Sequence, residues 1–75
     1  MISIFRTDVA TSADLSRVAP FLNGIMKDLR WTIDLSDCDR ILRVKSGINK
    51  NEEIISLVKS LGFDCENLAT FYSEP

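Results

Sequence analysis

Histidine is absent from this 75-residue sequence, and cysteine occurs only twice, as Cys38 and Cys65. Imidazole is the usual general base near neutral pH and the commonest metal ligand, so histidine-based catalytic triads and zinc sites are excluded. Two cysteines are too few to build a disulfide framework. We therefore expect a protein that is not an enzyme, that carries no cofactor, and whose two thiols stay reduced.

The sequence also lacks a long apolar run and an excess of basic charge. Charged residues begin at Arg6, so neither a signal peptide nor a membrane span is predicted at the N-terminus, and we expect a cytoplasmic protein. Nine basic and eleven acidic residues give a net charge of -2. This charge supplies no general attraction for phosphate backbones or anionic lipids, so we expect neither nucleic acid nor a membrane as a partner.

What is present is an ordinary globular composition, 45% hydrophobic and 27% charged, in a chain of single-domain length. We expect one domain over residues 1–75. Alternating apolar residues predict strands in ISIFRTDV, RWTIDL, ILRVK and FDCENL. Apolar residues spaced three and four apart predict two helices, with the stripes Leu15, Val18, Leu22 and Ile25, and Ile54, Val58 and Leu61. The predicted order is βαββαβ.

Several residues mark where these elements bend or end. Pro20 lacks a backbone donor, so we expect a kink near Ala19 in the first helix, or else a break there. The second helix is predicted to begin at a cap formed by Asn49 or Asn51 and to end at Gly62. Residues 69–75 are a possible tail, which either extends the last strand or docks on the body.

This order predicts an α+β, ferredoxin-like βαββαβ sandwich, with a four-stranded antiparallel sheet in the order 4-1-3-2 and both helices on one face. We expect the open face of the sheet to carry Ser3, Phe5, Thr7, Thr32, Asp34, Ile41, Arg43 and Lys45. Phe5 would be the lone aromatic there, whereas a sheet that recognises RNA needs several to stack bases.

Nearly the whole chain resembles the heavy-metal-associated domain of copper chaperones and metal-pumping ATPases. The pattern of that family after its first strand is Met-x-Cys-x-x-Cys followed by apolar helix positions. Val9 stands at the methionine, and Thr11 and Asp14 stand at the two cysteines. The segment EEIISLVKSLGFDCE, which contains Phe63, is similar to the second helix of the family and its entry to the last strand. The residue spacing of the family pattern is retained, but the two cysteines that bind metal in the family are absent.

Thr11 and Asp14 lie three residues apart at a helix start, which is the spacing of a capping box. A threonine hydroxyl is neutral and an aspartate oxygen is a hard donor, whereas copper(I) and zinc at such sites are held by thiolates. We therefore expect no metal at these positions. We expect instead a helix cap, with Thr11, Ser12, Cys38 and Phe63 in loops available for interaction.

Two functions remain open. One is a small protein-binding or regulatory module that uses a heavy-metal-associated-like scaffold to dock a protein partner or a second copy. The other is a copper- or zinc-handling protein with an unconventional site at Cys38. A small-molecule sensor of the ACT type, which has the same topology, is a third. Strand spacing predicts that Cys38 and Cys65 lie roughly 10 to 14 Å apart, too far for a disulfide or a shared metal.

Overall fold

The computed structural model describes residues 1–25, 30–36 and 38–72, without the side chain of Ile25. Its elements in chain order are β1 Ile2–Thr7, α1 Ser12–Ile25, β2 Arg30–Ile33, β3 Ile41–Lys45, α2 Asn51–Ser60 and β4 Cys65–Phe71. The four strands form one antiparallel sheet in the order β2-β3-β1-β4. The predicted ferredoxin-like topology and strand order are confirmed.

A single apolar core lies between the sheet and the two helices. Its buried members are Phe5, Val9, Val18, Leu22, Leu42, Val44, Ile54, Val58 and Cys65. Both helices contribute to this cluster and contact one another, so they cover the same face of the sheet. Burial of such apolar side chains is the main force that holds a domain of this size together.

The prediction for the two faces of β1 is wrong. Ser3, Phe5 and Thr7 are buried against the helices, whereas Ile2 and Ile4 are half-buried on the open face. Strand periodicity groups alternate residues but does not say which group faces the core. Phe5 is fully buried at the centre of the core, where it removes more apolar surface from water than an isoleucine would. The buried Val9 continues the same alternation.

α1 runs without interruption through Pro20, so a break near Ala19 is wrong, and a kink there stays a prediction. Proline at this position removes the donor to the carbonyl of Ser16. Both Pro20 and Ser16 are exposed, so water can supply the missing hydrogen bond to that carbonyl.

The ends of α2 agree with the sequence in part. Its N-cap is Lys50, not Asn49 or Asn51, and Lys50 makes no side-chain capping bond. Asn49 instead accepts a hydrogen bond from the Asn51 backbone at 2.9 Å, in a turn that leads into the helix. The predicted end is confirmed, because Gly62 follows the last turn with φ +94°, a conformation that favours glycine.

β4 is longer than predicted, because residues 69–71, assigned above to a possible tail, extend the strand to Phe71. Its pairing with β1 shifts register between Ile4 and Phe5, which leaves Leu68 as an extra residue. Asn67 donates through Nδ2 to the Ile4 carbonyl at 3.2 Å beside this bulge. The rest of the predicted tail, residues 73–75, lies outside the described residues.

Candidate functional site

Three connections meet at one end of the sandwich, which we term the loop end: residues 8–11, 34–40 and 61–64. A cleft of about 510 Å³ lies there. Its lining includes Thr7, Asp8, Cys38, Asp39, Asp64, Cys65 and Glu66. Side chains from all three connections therefore border the same space, and Cys38 is the one predicted interaction residue among those that line it.

Thr11 and Asp14 form a cap at the start of α1. The Asp14 backbone N–H donates to Thr11 Oγ1 at 3.1 Å, and Asp14 Oδ2 accepts from the Ala10 backbone N–H at 3.3 Å. The Leu15 N–H donates to the Thr11 carbonyl at 3.0 Å, the first bond of the helix. The Thr11 half of the predicted capping box is present, since its hydroxyl satisfies a backbone donor of the first turn. Asp14 bonds the residue before the cap and not the Thr11 N–H of a standard capping box.

Asp8 joins the β1–α1 connection to the α2–β4 connection. Its Oδ1 accepts a hydrogen bond from the Asp64 backbone N–H at 2.8 Å. The two residues are 56 positions apart in the chain, and the bond fixes how the two loops approach each other. A charge-assisted bond of this kind is stronger than one between neutral groups. Asp8 therefore has a structural role at the loop end.

Thr7 joins the end of β1 to the β2–β3 connection. Its hydroxyl donates to the Arg40 carbonyl at 2.8 Å and accepts from the Val9 backbone N–H at 3.3 Å. Its own backbone N–H donates to the Asp39 carbonyl at 3.3 Å. Arg40 has a positive φ of 47°, so the turn takes a conformation that is uncommon outside glycine. The buried Thr7 hydroxyl stabilises this turn.

The two cysteines border the same cleft but differ in environment. Cys38 is exposed and Cys65 is buried, and both are free thiols. Burial raises the pKa of the Cys65 thiol from 9.0 to about 11, and the nearby Lys59 cation offsets part of this rise. Cys65 is therefore protonated near neutral pH, and only the thiolate is a good nucleophile or metal ligand.

Phe63 lies beneath a cation. The Arg17 guanidinium sits 5.4 Å from the centre of the Phe63 ring, within the range of a cation–π contact. Arg17 Nη2 also donates to the Leu61 carbonyl at 3.3 Å, at the C-terminal end of α2. A cation at this position satisfies a terminal carbonyl and complements the helix dipole. Arg17 therefore covers part of a side chain that the sequence assigns to an interaction loop.

Metal-ligating side chains are not grouped in the part of the chain that the structure describes. Across residues 1–25, 30–36 and 38–72, no three side chains of His, Cys, Asp or Glu are placed to hold one ion. The carboxylates of Asp8 and Asp14 accept backbone hydrogen bonds. Within those same residues, no helix has the length and apolar character needed to cross a membrane.

The fold is similar to a solved structure of the copper chaperone Atx1 from Synechocystis PCC6803, a mutant in a trimeric Cu1 form. The two superimpose with a TM-score of 0.69 at 17% identity, over 88% of this chain and 100% of that one. Likeness at this identity concerns the fold alone, and supports the heavy-metal-associated resemblance at that level. No protein-family model matches the chain, and no curated protein matches it.

The predicted site residues differ in how far they are exposed to solvent. Thr11, Ser12 and Cys38 are exposed at the loop end, whereas Phe63 is half-buried under Arg17. The bond that joins Asp8 to the α2–β4 loop was not predicted, because no local pattern indicates a contact between residues so distant in the chain. A turn-rich composition around each loop is the only signal the sequence offers.

Proposed function

We propose that this chain is a non-catalytic protein-docking module, built on a copper-chaperone-like scaffold without a soft-metal site at the start of α1. The observation that carries the proposal is the pair of cap bonds made by Thr11 and Asp14, at the two positions aligned with the family cysteines. A side chain that holds the helix start through its oxygen atoms gives the first turn a structural role.

The chemistry of the pair supports the same function. Copper(I) prefers thiolates, and neither the Thr11 hydroxyl nor the Asp14 carboxylate supplies a soft donor. Val9, aligned with the family methionine, is fully buried and carries no donor atom. The backbone at the start of α1 thus keeps the arrangement that would present a metal to a partner. Its side chains are suited to folding and not to binding the metal.

A metal-handling protein is the second candidate, and one observation favours it. Cys38 and Cys65 border the same cleft, which also exposes the carboxylates of Asp8, Asp39 and Asp64. The raised pKa of Cys65 opposes this candidate, because the thiol must lose its proton before it binds a metal. The docking module needs no such step.

The loop end of the metal-free scaffold is one surface that a partner can reach. Thr11, Ser12 and Cys38 are exposed at one end of the molecule, so a protein could contact the start of α1 and the β2–β3 connection at once. Whether that partner is another protein or a second copy stays open, and the cytoplasmic location also stays a prediction.

Titration with copper(I) against a strong chelator, with the fold followed by circular dichroism, tests the proposal. We expect the protein to be folded without metal and to leave the copper with the chelator. A one-to-one copper complex that survives the competitor would contradict it. Cys38→Ser should be titrated in parallel, because loss of such a complex in this variant would establish the second candidate.

A further inference from the structure

The side of the sheet turned away from the helices, which we term the open face, is both basic and apolar. Cross-strand pairing aligns Ile2 with Lys45 and Phe71, Ile4 with Arg43 and Ala69, and Arg6 with Ile41 and Glu66. On β2, the exposed residues Arg30 and Thr32 pair with Lys45 and Arg43. Directly paired residues share a face, so four cationic side chains lie on the open face.

The cations of the open face differ in their partners. Arg6 forms a salt bridge with Glu66 across the β1–β4 pair. The side chains of Arg30 and Arg43, in contrast, make no hydrogen bond, ion pair or ring contact with the described chain. Elsewhere Arg17 binds the Leu61 carbonyl and Lys50 approaches Glu53 at 3.6 Å. Among residues 1–25, 30–36 and 38–72, two guanidinium groups on adjacent strands are thus left without an anionic partner.

A shallow pocket of about 160 Å³ lies at these two arginines, lined by Arg30, Trp31, Thr32 and Arg43. Thr32 is the direct cross-strand partner of Arg43, and Arg30 lies two residues before it on the same strand face. A guanidinium presents a planar fork of donors that matches a carboxylate. The two arginines that border the pocket therefore favour an acidic side chain over a basic one.

Apolar surface adjoins this cationic half of the face. Ile2 and Ile4 on the central strand β1 are half-buried, and Phe71 on β4 is 54% exposed. Central strands β1 and β3 carry no aromatic residue on this face, although base stacking on a sheet requires one. A ligand that combines carboxylates with apolar side chains matches the face better than a nucleic acid does.

We propose that the open face docks an acidic, amphipathic segment of a protein partner, with one carboxylate seated between Arg30 and Arg43. This inference rests on the proposed docking function and assigns it a surface and a partner chemistry. The apolar side chains of the segment cover Ile2, Ile4 and Phe71. The carboxylates of Asp8, Asp39 and Asp64 at the loop end repel such a segment, whereas the cations of the open face attract it.

Binding of a synthetic peptide of alternating Glu and Leu, followed by amide chemical shifts, tests the inference. We expect shifts centred on Arg30, Thr32 and Arg43, and an affinity that falls with added salt. The double variant Arg30→Gln and Arg43→Gln should lower the affinity about tenfold, since two charged contacts are lost. The matched control Lys50→Gln and Lys59→Gln removes the same charge from the helical side and should leave the affinity unchanged.

A second variant keeps the test decisive if the double variant does not fold. Thr32→Glu places a carboxylate beside both arginines, and it should weaken peptide binding by occupying the pocket. Equal weakening by the arginine and lysine pairs would overturn the inference, as would shifts confined to the loop end. Tighter binding of a single-stranded oligonucleotide would favour nucleic acid instead. Self-association that the arginine pair abolishes, seen by sedimentation, would replace the partner with a second copy.

The copper(I) titration separates this inference from the function on which it rests. A parent protein that holds copper(I) tightly removes the metal-free docking module, whatever the peptide does. A parent that leaves copper with the chelator, together with a peptide that does not bind, removes only the assignment of the open face.

Discussion

The loop end and the open face use their polar groups in opposite ways. At the loop end, Thr11, Asp14 and Asp8 are hydrogen-bonded to the backbone of the chain itself. On the open face, Arg30 and Arg43 have no partner within the described chain. A polar group that is already satisfied within the fold has less to offer a ligand than one that is not. Among the described residues, the open face therefore offers a ligand more unsatisfied polar groups than the loop end does.

The same two regions differ in the sign of their charge. The described carboxylates of the loop end include Asp8, Asp39 and Asp64, whereas the open face carries cations on three strands and one carboxylate, Glu66. A net charge of -2 averages these regions and conceals both. Net charge consequently argues against a general attraction for polyanions but does not describe the local surface that a protein partner would meet.

Restoring two cysteines should change the loop end most. We expect the double variant Thr11→Cys and Asp14→Cys to bind copper(I) against a chelator, where the parent does not. Thiolates at a helix N-terminus are stabilised by the dipole, and the backbone already presents both positions in the first turn of α1. Competition titration measures the gain, which should amount to several orders of magnitude in affinity.

A matched control shows whether copper(I) binding depends on where the two new cysteines lie or only on their number. Ser12→Cys with Ala13→Cys adds two exposed thiols to the same turn, but adjacent helix residues do not face each other. This control should stay weak for copper(I). If the variant at positions 11 and 14 is folded yet equally weak, the alignment of Thr11 and Asp14 with the family ligands is wrong and the likeness is one of topology.

The next largest expected effect is the difference in stability between substitutions on the two faces of β1. Phe5→Ala should lower the free energy of unfolding by about 3 to 5 kcal/mol, because it removes a fully buried ring from the core. Ile4→Ala, on the half-buried open face, should cost clearly less. Urea denaturation of both variants measures the difference. Equal losses would contradict the burial of Phe5 and return β1 to the orientation predicted from the sequence.

The fold was largely predictable because its signals are local. β3 was predicted at residues 41–45, where the structure has it, and Gly62 marked the end of α2. The orientation of β1 was not predictable from alternation, because Ile2 and Ile4 are as apolar as the core requires. Only the assembled sheet decides that Phe5 faces the helices.

The buried Cys65 should make the free energy of unfolding depend on pH in the alkaline range. The pKa of the Cys65 thiol is about 11 in the fold, against an ordinary value of 9.0, so the folded state keeps the thiol proton up to a higher pH. Stability from this group is complete below about pH 9 and is lost as pH rises toward 11, by about 3 kcal/mol at most.

The difference between the parent and a cysteine variant isolates this effect from other groups that titrate in alkali. The loss of stability from pH 9 to 11 should be smaller in Cys65→Ala than in the parent. Alkylation gives an independent reading, since exposed Cys38 should react with iodoacetamide much faster than Cys65. Equal alkylation rates in the native protein would refute the assigned burial.

Predictability at the candidate site follows the same division between local and distant contacts. The Thr11 and Asp14 cap could be predicted because both residues lie within one helical turn. The bond from the Asp64 backbone to Asp8 could not, because it joins segments that only the complete fold brings together. That the Arg30 and Arg43 side chains have no partner in the described part of the chain is likewise a property of the assembled sheet.

The smallest expected effect tests whether the loop end has a purely structural use. Thr11→Ala should lower the free energy of unfolding by about 0.5 to 2 kcal/mol, because the Asp14 backbone N–H loses its acceptor. Ser12→Ala is the control, since Ser12 is a neighbouring exposed hydroxyl for which the bond to the Asp14 amide is not available. Thermal or urea denaturation of both variants measures the difference. Because the cap is internal to the chain, Thr11→Ala should also leave binding of the Glu and Leu peptide at the open face unchanged. A Thr11→Ala protein as stable as the parent would mean that water replaces the threonine hydroxyl at no cost, and would remove the structural reason for these residues at the ligand positions.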